Sequence, residues 1–237
     1  MCDLTLILDA DDTLWQNNIF YEEVRQTFAD RMVEQGFRRS AALASLDRVE
    51  EERIPQVGYA PAEFVRSVVI AYRRLCRAEG RAPQPRVAAE VEAIARRVVD
   101  QPMILLEGVA DTLARLHRQY RLILLTKGDA EVQLRKVERS GLASYFEAVH
   151  VVPEKGQGVL EELLERYGLD PERTWMVGNS PRSDINPAVA AGIGAVHIPH
   201  PVPWDFEDVS IVDPDRVVTL ERFSDLIDFV GTLGGGR

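Results

Sequence analysis

Leu4-Thr5-Leu6-Ile7-Leu8-Asp9-Ala10-Asp11-Asp12-Thr13 is the stretch on which the fold turns. Its first five residues make a short, nearly all-apolar run that stops abruptly at Asp9, the pattern of a strand buried on both faces of a parallel sheet. Runs of the same kind recur at residues 122–125, 149–152, 174–177, 195–198 and, more weakly, 217–219, with helical patterns between them. Strand alternating with helix predicts an α/β protein: a Rossmann-like three-layer core in which a mainly parallel sheet carries helices on both faces.

One interval breaks the rhythm. Between the first strand and the next α/β unit, residues 15–100 show only helical periodicity, too much chain for one crossover helix. Val24, Phe28 and Met32 fall at i, i+4 and i+8, and Phe64, Val65, Val68, Val69, Tyr72, Leu75 and Cys76 make a wide apolar stripe. Ala60-Pro61 starts that third helix, Pro83 and Pro85 separate it from a fourth over 87–99, and Pro102 closes the segment. The expected organisation is an α/β core of residues 1–14 and 101–237 with an all-helical domain of residues 15–100 inserted after the first strand. Trp15, Asn17 and Asn18 lie where the chain leaves the core and read as a hinge. Gln56, Val57, Gly58 and Tyr59 read as a loop between two inserted helices, open to substrate contact or to an ordinary helix connection. There is no internal repeat, and the terminal Gly234-Gly235-Gly236-Arg237 reads as a frayed tail.

Bulk properties narrow the classes. A chain of 237 residues, 46% hydrophobic and 28% charged, has the composition of a globular protein. A net charge of −10 repels a phosphate backbone, so nucleic acid is not an expected partner, whereas a small phosphate ester is compatible where a divalent cation reverses the local field. Two cysteines, Cys2 and Cys76, make no disulfide framework. No apolar stretch approaches the roughly 20 residues of a membrane span, so the expected address is the cytoplasm, with no membrane partner and the oligomeric state open.

The chemistry collects at strand ends, where open α/β sheets bind ligands. Residues two apart at a strand end project to the same side, so the carboxylates of Asp9 and Asp11 are expected to converge with Asp12 nearby. Such crowding raises pKa values unless a cation neutralises it, and Mg²⁺, which takes few carboxylates and keeps positions for water and phosphate, suits the site. One carboxylate can then attack phosphorus while the other protonates the leaving oxygen and later activates water. The alternative reading is that Asp12 and Thr13 cap the next helix and the other acids are solvated. After the second run comes Thr126-Lys127-Gly128-Asp129, where a hydroxyl and the N–H groups of a turn can donate to phosphoryl oxygens, or Thr126 caps a helix. After the third comes Lys155, a cation able to pair with the nucleophile and the incoming phosphate, or else a solvated surface residue. After the fourth comes Gly178-Asn179-Ser180-Pro181-Arg182-Ser183-Asp184, in which Asp184 can supply a second metal ligand opposite Asp9 or cap a helix. His197 and His200 lack neighbouring Cys or further His and read as structural.

Taken in order, these four pieces resemble the haloacid-dehalogenase-like phosphohydrolase superfamily, from residue 4 to about 199. The resemblance implies that Asp9 is the nucleophile and Asp11 the general acid/base, with Thr13 supporting. It assigns the strand-end hydroxyl to Thr126, the lysine to Lys155 and the metal-binding acid to Asp184, and has Mg²⁺ held by Asp9, Asp184 and the main-chain carbonyl of Asp11. It implies substrate contacts at Thr13, Lys127 and Gly128. Two positions depart from the pattern: Asp12 stands where Gly is frequent, and Asn179 stands where an acid is frequent, so that any ligation there runs through its amide oxygen or a water. Asp11 speaks for the phosphatase or phosphomutase branches, since dehalogenase relatives lack that acid. The helical insert resembles the cap domain that closes over the site and selects substrate.

The function expected is Mg²⁺-dependent hydrolysis of a small phosphorylated metabolite through an aspartyl-phosphate on Asp9. A sugar phosphomutase is the near alternative. A signalling receiver, which also combines acids, a strand-end hydroxyl and a Lys, is disfavoured by the insert and the length, and a non-catalytic protein of the same fold is the remaining alternative.

Overall fold

Six strands form one sheet: β1 (Thr5–Leu8), β2 (Arg121–Lys127), β3 (Ala148–Val152), β4 (Thr174–Gly178), β5 (Gly194–His197) and β6 (Val217–Thr219). The structure, a computed structural model, describes residues 4–204, 206–207 and 209–234. Cys2 and residues 235–237 of the expected tail lie outside the described residues. The strand order is β3-β2-β1-β4-β5-β6 and every pairing is parallel. The order reverses direction between β1 and β4, which puts the ligand-binding crevice of such a sheet at their carboxyl ends.

Alternation along β1 distributes its side chains to two cores. Leu6 and Leu8 join Leu122, Leu124, Val177 and Val196 on one face, under α5 (Val109–Leu116) and α9 (Leu226–Gly234). Ile7 joins Ile123, Leu125, Met176 and Ala195 on the other, under α7 (Gln157–Tyr167) and α8 (Asn186–Ala190). Leu6, Ile7 and Leu8 are fully buried, worth about 1.5–3 kcal/mol apiece. A one-residue slip would exchange the two sets, so this burial fixes the register and with it the position of Asp9 at the strand end.

The chain divides into two compact units, one running up to Asn18 and resuming at Met103, the other Ile19–Pro102. The sequence expectation put these edges at 14/15 and 100/101. The first edge moves because Trp15 is 1% exposed inside the α/β core, where it bridges Leu105, while Gln16 N–H donates to the Ile104 carbonyl at 2.9 Å. Trp15 is therefore part of the α/β unit and not of a hinge.

The inserted unit holds most of α1 (Asn18–Glu34), then α2 (Arg39–Val57), α3 (Pro61–Ala78) and α4 (Pro85–Ala95), followed by a 3₁₀ turn (Arg96–Val98). Its core contains Val24, Phe28, Met32, Leu46, Val68, Tyr72 and Val91, the apolar stripes of the helical pattern. Two details differ from expectation. The fourth helix ends in α form at Ala95, with the tighter turn carrying the chain on. Gln56 and Val57 belong to α2, because that helix runs through Pro55 until Gly58, at φ 73°, donates to the Ile54 carbonyl and ends it. Only residues 58–60 connect α2 to α3. Among the described residues Cys76 is a free, buried thiol, and no helix is long and apolar enough to cross a membrane.

Candidate active site

Asp9 is the first residue past β1, and its N–H donates to the Val177 carbonyl of β4 at 2.9 Å. Its side chain is 8% exposed. Oδ1 accepts from the Lys155 ammonium and Oδ2 from the Thr13 hydroxyl at 2.8 Å. Lys155, past β3, also donates to Asp184 Oδ1 at 2.7 Å. Two carboxylates from the two central strand ends thus meet on one ammonium.

Asp184 is placed by a local irregularity. Residues 181–185 form one π-helical turn, the kind of widened turn that recurs at functional sites, and Asp184 Oδ2 accepts from Ser180 N–H at 3.0 Å. The carboxylate lies flat against Gly178: a Cβ there would stand 2.2 Å from Asp184 Oδ2. The glycine ending β4 is required so that this acid can approach the backbone. Asp184 is not a helix cap.

Electrostatics follow from the count of charges, two buried acids to one cation. Burial pushes the Asp9 carboxyl up to about 6; Lys155 opposes the rise, Asp184 adds to it, and the Lys155 and Thr13 hydrogen bonds oppose it again. Burial alone would lower the Lys155 ammonium, but Asp184 and Asp9 outweigh it and hold it protonated. The donor set fits a hard divalent cation: two carboxylates with one residual negative charge, and the Asn179 amide oxygen beside them, 3.2 Å from the Thr13 hydroxyl oxygen. Among the described residues no group of three or more His, Cys, Asp or Glu side chains that could hold a metal ion assembles.

Asp11 is placed elsewhere than expected. Its carboxylate does not share a partner with Asp9: it accepts from Lys136 at 2.8 and 2.9 Å, from Gln133 Nε2 at 2.9 Å and from Trp15 Nε1 at 2.7 Å. Burial pushes this carboxyl up, and Lys136, Gln133 and Trp15 together hold it below the ordinary range. The strand has ended before Asp11, since Leu14 N–H already donates to the Ala10 carbonyl at 2.8 Å, and the two-residue alternation that would have brought the acids together no longer applies. Asp12 is the sole described non-glycine residue with positive φ, at 61°, which explains why glycine suits this position. Its carboxylate accepts from Asn17 and Asn18 N–H at 2.8 and 3.0 Å and so caps α1. Burial and the Asp11 carboxylate push Asp12 up to about 6, with His200 opposing.

Of the expected substrate contacts, three have other work. Thr13 braces Asp9. Gly128 N–H is taken by the Val152 carbonyl at 2.9 Å, because β2 extends through Thr126 and Lys127 alongside Val151 and Val152. Lys127 donates to Ser183 at 2.8 Å and pairs with Glu207 at 2.5 Å. Thr126 is buried in the strand, two residues past the Leu8–Leu124 pairing and so just beyond the end of β1; the cap of the following helix is Asp129, which accepts from Val132 N–H. His197 Nε2 donates to the Asn179 carbonyl at 3.1 Å, whereas His200 Nε2 faces Gln16 at 2.9 Å, and they do not pair.

Sequence reasoning missed Gln133, Lys136 and Glu207. Glu207 accepts from Ser180 at 2.5 Å and from Ser183 as well as from Lys127, bracing the turn that carries Asp184. It sits in a loop with no motif, and nothing in the sequence marks it.

Against known proteins, residues 4–192 match the family model described as haloacid dehalogenase-like hydrolase. Glyceraldehyde 3-phosphate phosphatase of Methanopyrus kandleri is 26% identical over 236 residues, 96% of this chain and 97% of that protein. N-acylneuraminate-9-phosphatase of Mus musculus is 30% identical over 122 residues, so the match spans about half of that relative and 49% of this chain. A solved haloacid dehalogenase-like family hydrolase from Xanthomonas campestris superposes with TM-score 0.81 at 25% identity, over 97% of this chain and 91% of that one. The fold is shared as well by the HAD-hydrolase YfnB of Bacillus subtilis, solved bound to magnesium, with TM-score 0.63 at 18% identity, over 96% of this chain and 98% of that one.

Proposed function

The chain belongs to the haloacid dehalogenase-like hydrolases, and from that premise we propose that it is a Mg²⁺-dependent phosphatase of a small phosphorylated metabolite, working through a phosphoryl group carried on Asp9. The observation that carries this reading is the meeting of Asp9 and Asp184 on Lys155 at the carboxyl ends of β1 and β4. Similar proteins named as phosphatases of glyceraldehyde 3-phosphate and of an N-acylneuraminate 9-phosphate support the substrate class, a monoester of a small metabolite.

An Asp9 oxygen attacks phosphorus, forming the aspartyl-phosphate as the ester P–O bond breaks, and the protonated form of Asp11 gives its proton to the departing oxygen. Asp11 then takes a proton from water, the water oxygen attacks phosphorus, and the P–O bond to Asp9 breaks to return the carboxylate and release inorganic phosphate. Lys155 offsets negative charge gathering on the phosphoryl oxygens and holds Asp9 in line, while the Thr126 hydroxyl orients one of those oxygens. Thr13 keeps Asp9 Oδ2 engaged so that one oxygen of the pair is presented. Mg²⁺, held by Asp9, Asp184, the Asp11 carbonyl and the Asn179 amide oxygen, would supply further charge neutralisation. The helical unit, Ile19–Pro102, is assigned the substrate-selecting role of a cap.

The test is a screen of phosphorylated metabolites with Mg²⁺ present, run beside Asp9→Asn. Metal-dependent phosphate release by the wild-type chain and none by the variant is the expected result. Full activity in Asp9→Asn, or a sugar-phosphate isomer formed in excess over released phosphate, would sink the reading.

A further inference from the structure

The helix after β2, α6 (Ala130–Ser140), buries Val137 and exposes Glu131, Arg135, Glu138 and Arg139 as an amphipathic helix should, yet it also buries two polar side chains. Leu134 is 51% exposed, while Gln133 and Lys136 are 5% and 8% exposed. Burying an ammonium and an amide is costly unless each finds partners, and here the partners converge. Lys136 Nζ makes three hydrogen bonds: two to the carboxylate oxygens of Asp11 and one, at 2.9 Å, to Asn17 Oδ1, one residue before α1. Gln133 Nε2 uses both N–H groups, one on Asp11 Oδ2 and one on the Lys127 carbonyl at 2.8 Å.

Two further features tie this arrangement to Asp11. Gln133 Oε1 is buried with no hydrogen-bond partner, while both donors of the same amide are engaged. Gly128, at φ +128°, leaves room for that amide: a Cβ there would stand 3.3 Å from Gln133 Nε2. The backbone of the β2–α6 turn is thus shaped around a side chain whose visible business is Asp11.

We propose that Lys136, with Gln133, is the positioning device for the acid/base of this enzyme: it holds the ionised Asp11 carboxylate in one orientation in the resting site, so that Asp11, once protonated, sits in register with the leaving oxygen. Lys136 touches neither phosphorus nor the leaving group and acts through Asp11. The inference rests on the phosphatase reading above. Its signature is dependence on the leaving group. An alkoxide needs a proton to depart, whereas p-nitrophenolate leaves without one, and kcat/KM reports only the steps through phosphoryl transfer to Asp9.

The experiment compares kcat/KM for glycerol 2-phosphate and p-nitrophenyl phosphate in the wild-type chain, Lys136→Met and Lys136→Arg, with Mg²⁺ present. Lys136→Met is expected to lose about 10²-fold on the alkyl ester and only a few-fold on the aryl ester, and Lys136→Arg, which keeps a donor, to recover part of the loss. Equal losses on both esters, or no loss on either, would overturn the inference while leaving the phosphatase reading intact. A wild-type chain that releases phosphate from neither ester and from no compound of the metabolite screen would remove that reading and the inference with it. Should Lys136→Met fail to fold, Gln133→Leu, which removes neutral donors only, carries the same comparison with the same two outcomes.

Discussion

Lys155 Nζ lies 2.7 Å from Asp184 Oδ1, with 2% and 1% of the two side chains exposed, and Asp9 completes the group from the neighbouring strand end. The lysine is thus the internal counter-ion of two acids. Removing one partner of a buried ionic group leaves uncompensated charge and costs about 3–5 kcal/mol. Lys155→Met is expected to lose about that much in denaturant melts without metal, and added Mg²⁺ should raise its Tm more than that of the wild-type chain. A variant as stable as wild type in chelator would contradict the counter-ion role.

Gly178 makes a sharper prediction, because the clash it avoids is with Asp184 itself. Gly178→Ala must displace the carboxylate, and a misplacement of about 1 Å in a reacting constellation costs on the order of 10²-fold. The expected variant is folded by circular dichroism, with kcat down by about that factor. Unchanged kcat would mean that Asp184 is not required where it stands.

Glu207 supplies a pH test. Burial pushes its carboxyl up, but Lys127, Ser180 and Ser183 overcome this and hold it below its ordinary value near 4.5. A carboxyl with a depressed folded pKa adds stability above its unfolded pKa and loses it as pH falls through the folded one. The stability advantage of wild type over Glu207→Gln should therefore be full at pH 6–7 and shrink as the pH falls below about 4.5. Thermal melts across that range check it; a difference that grows on acidification reverses the sign and refutes the assignment.

How much was legible in the sequence depends on whether a residue's neighbours are local. The strands announced themselves because two-sided burial makes them continuous apolar runs, and Asp9, Lys155 and Asp184 were readable because each closes such a run or the turn after it. Asp11 was readable as an acid but not in its placement: the chain turns at Ala10, and its carboxylate answers to Lys136, 125 residues away. Gln133 and Lys136 were hidden because a polar residue on a helix reads as solvated, and both are buried. Lys127 looked available for phosphate because its partner Glu207 is 80 residues distant in a loop without pattern.

The central claim is that phosphorus becomes bonded to Asp9 during turnover. With a ³²P-labelled phosphate ester that the chain hydrolyses, acid quenching in the steady state followed by proteolysis should leave label on the peptide that contains Asp9 and on no other, and Asp9→Asn should carry none. An unlabelled wild-type chain during rapid phosphate release, or label retained in Asp9→Asn, would contradict the account.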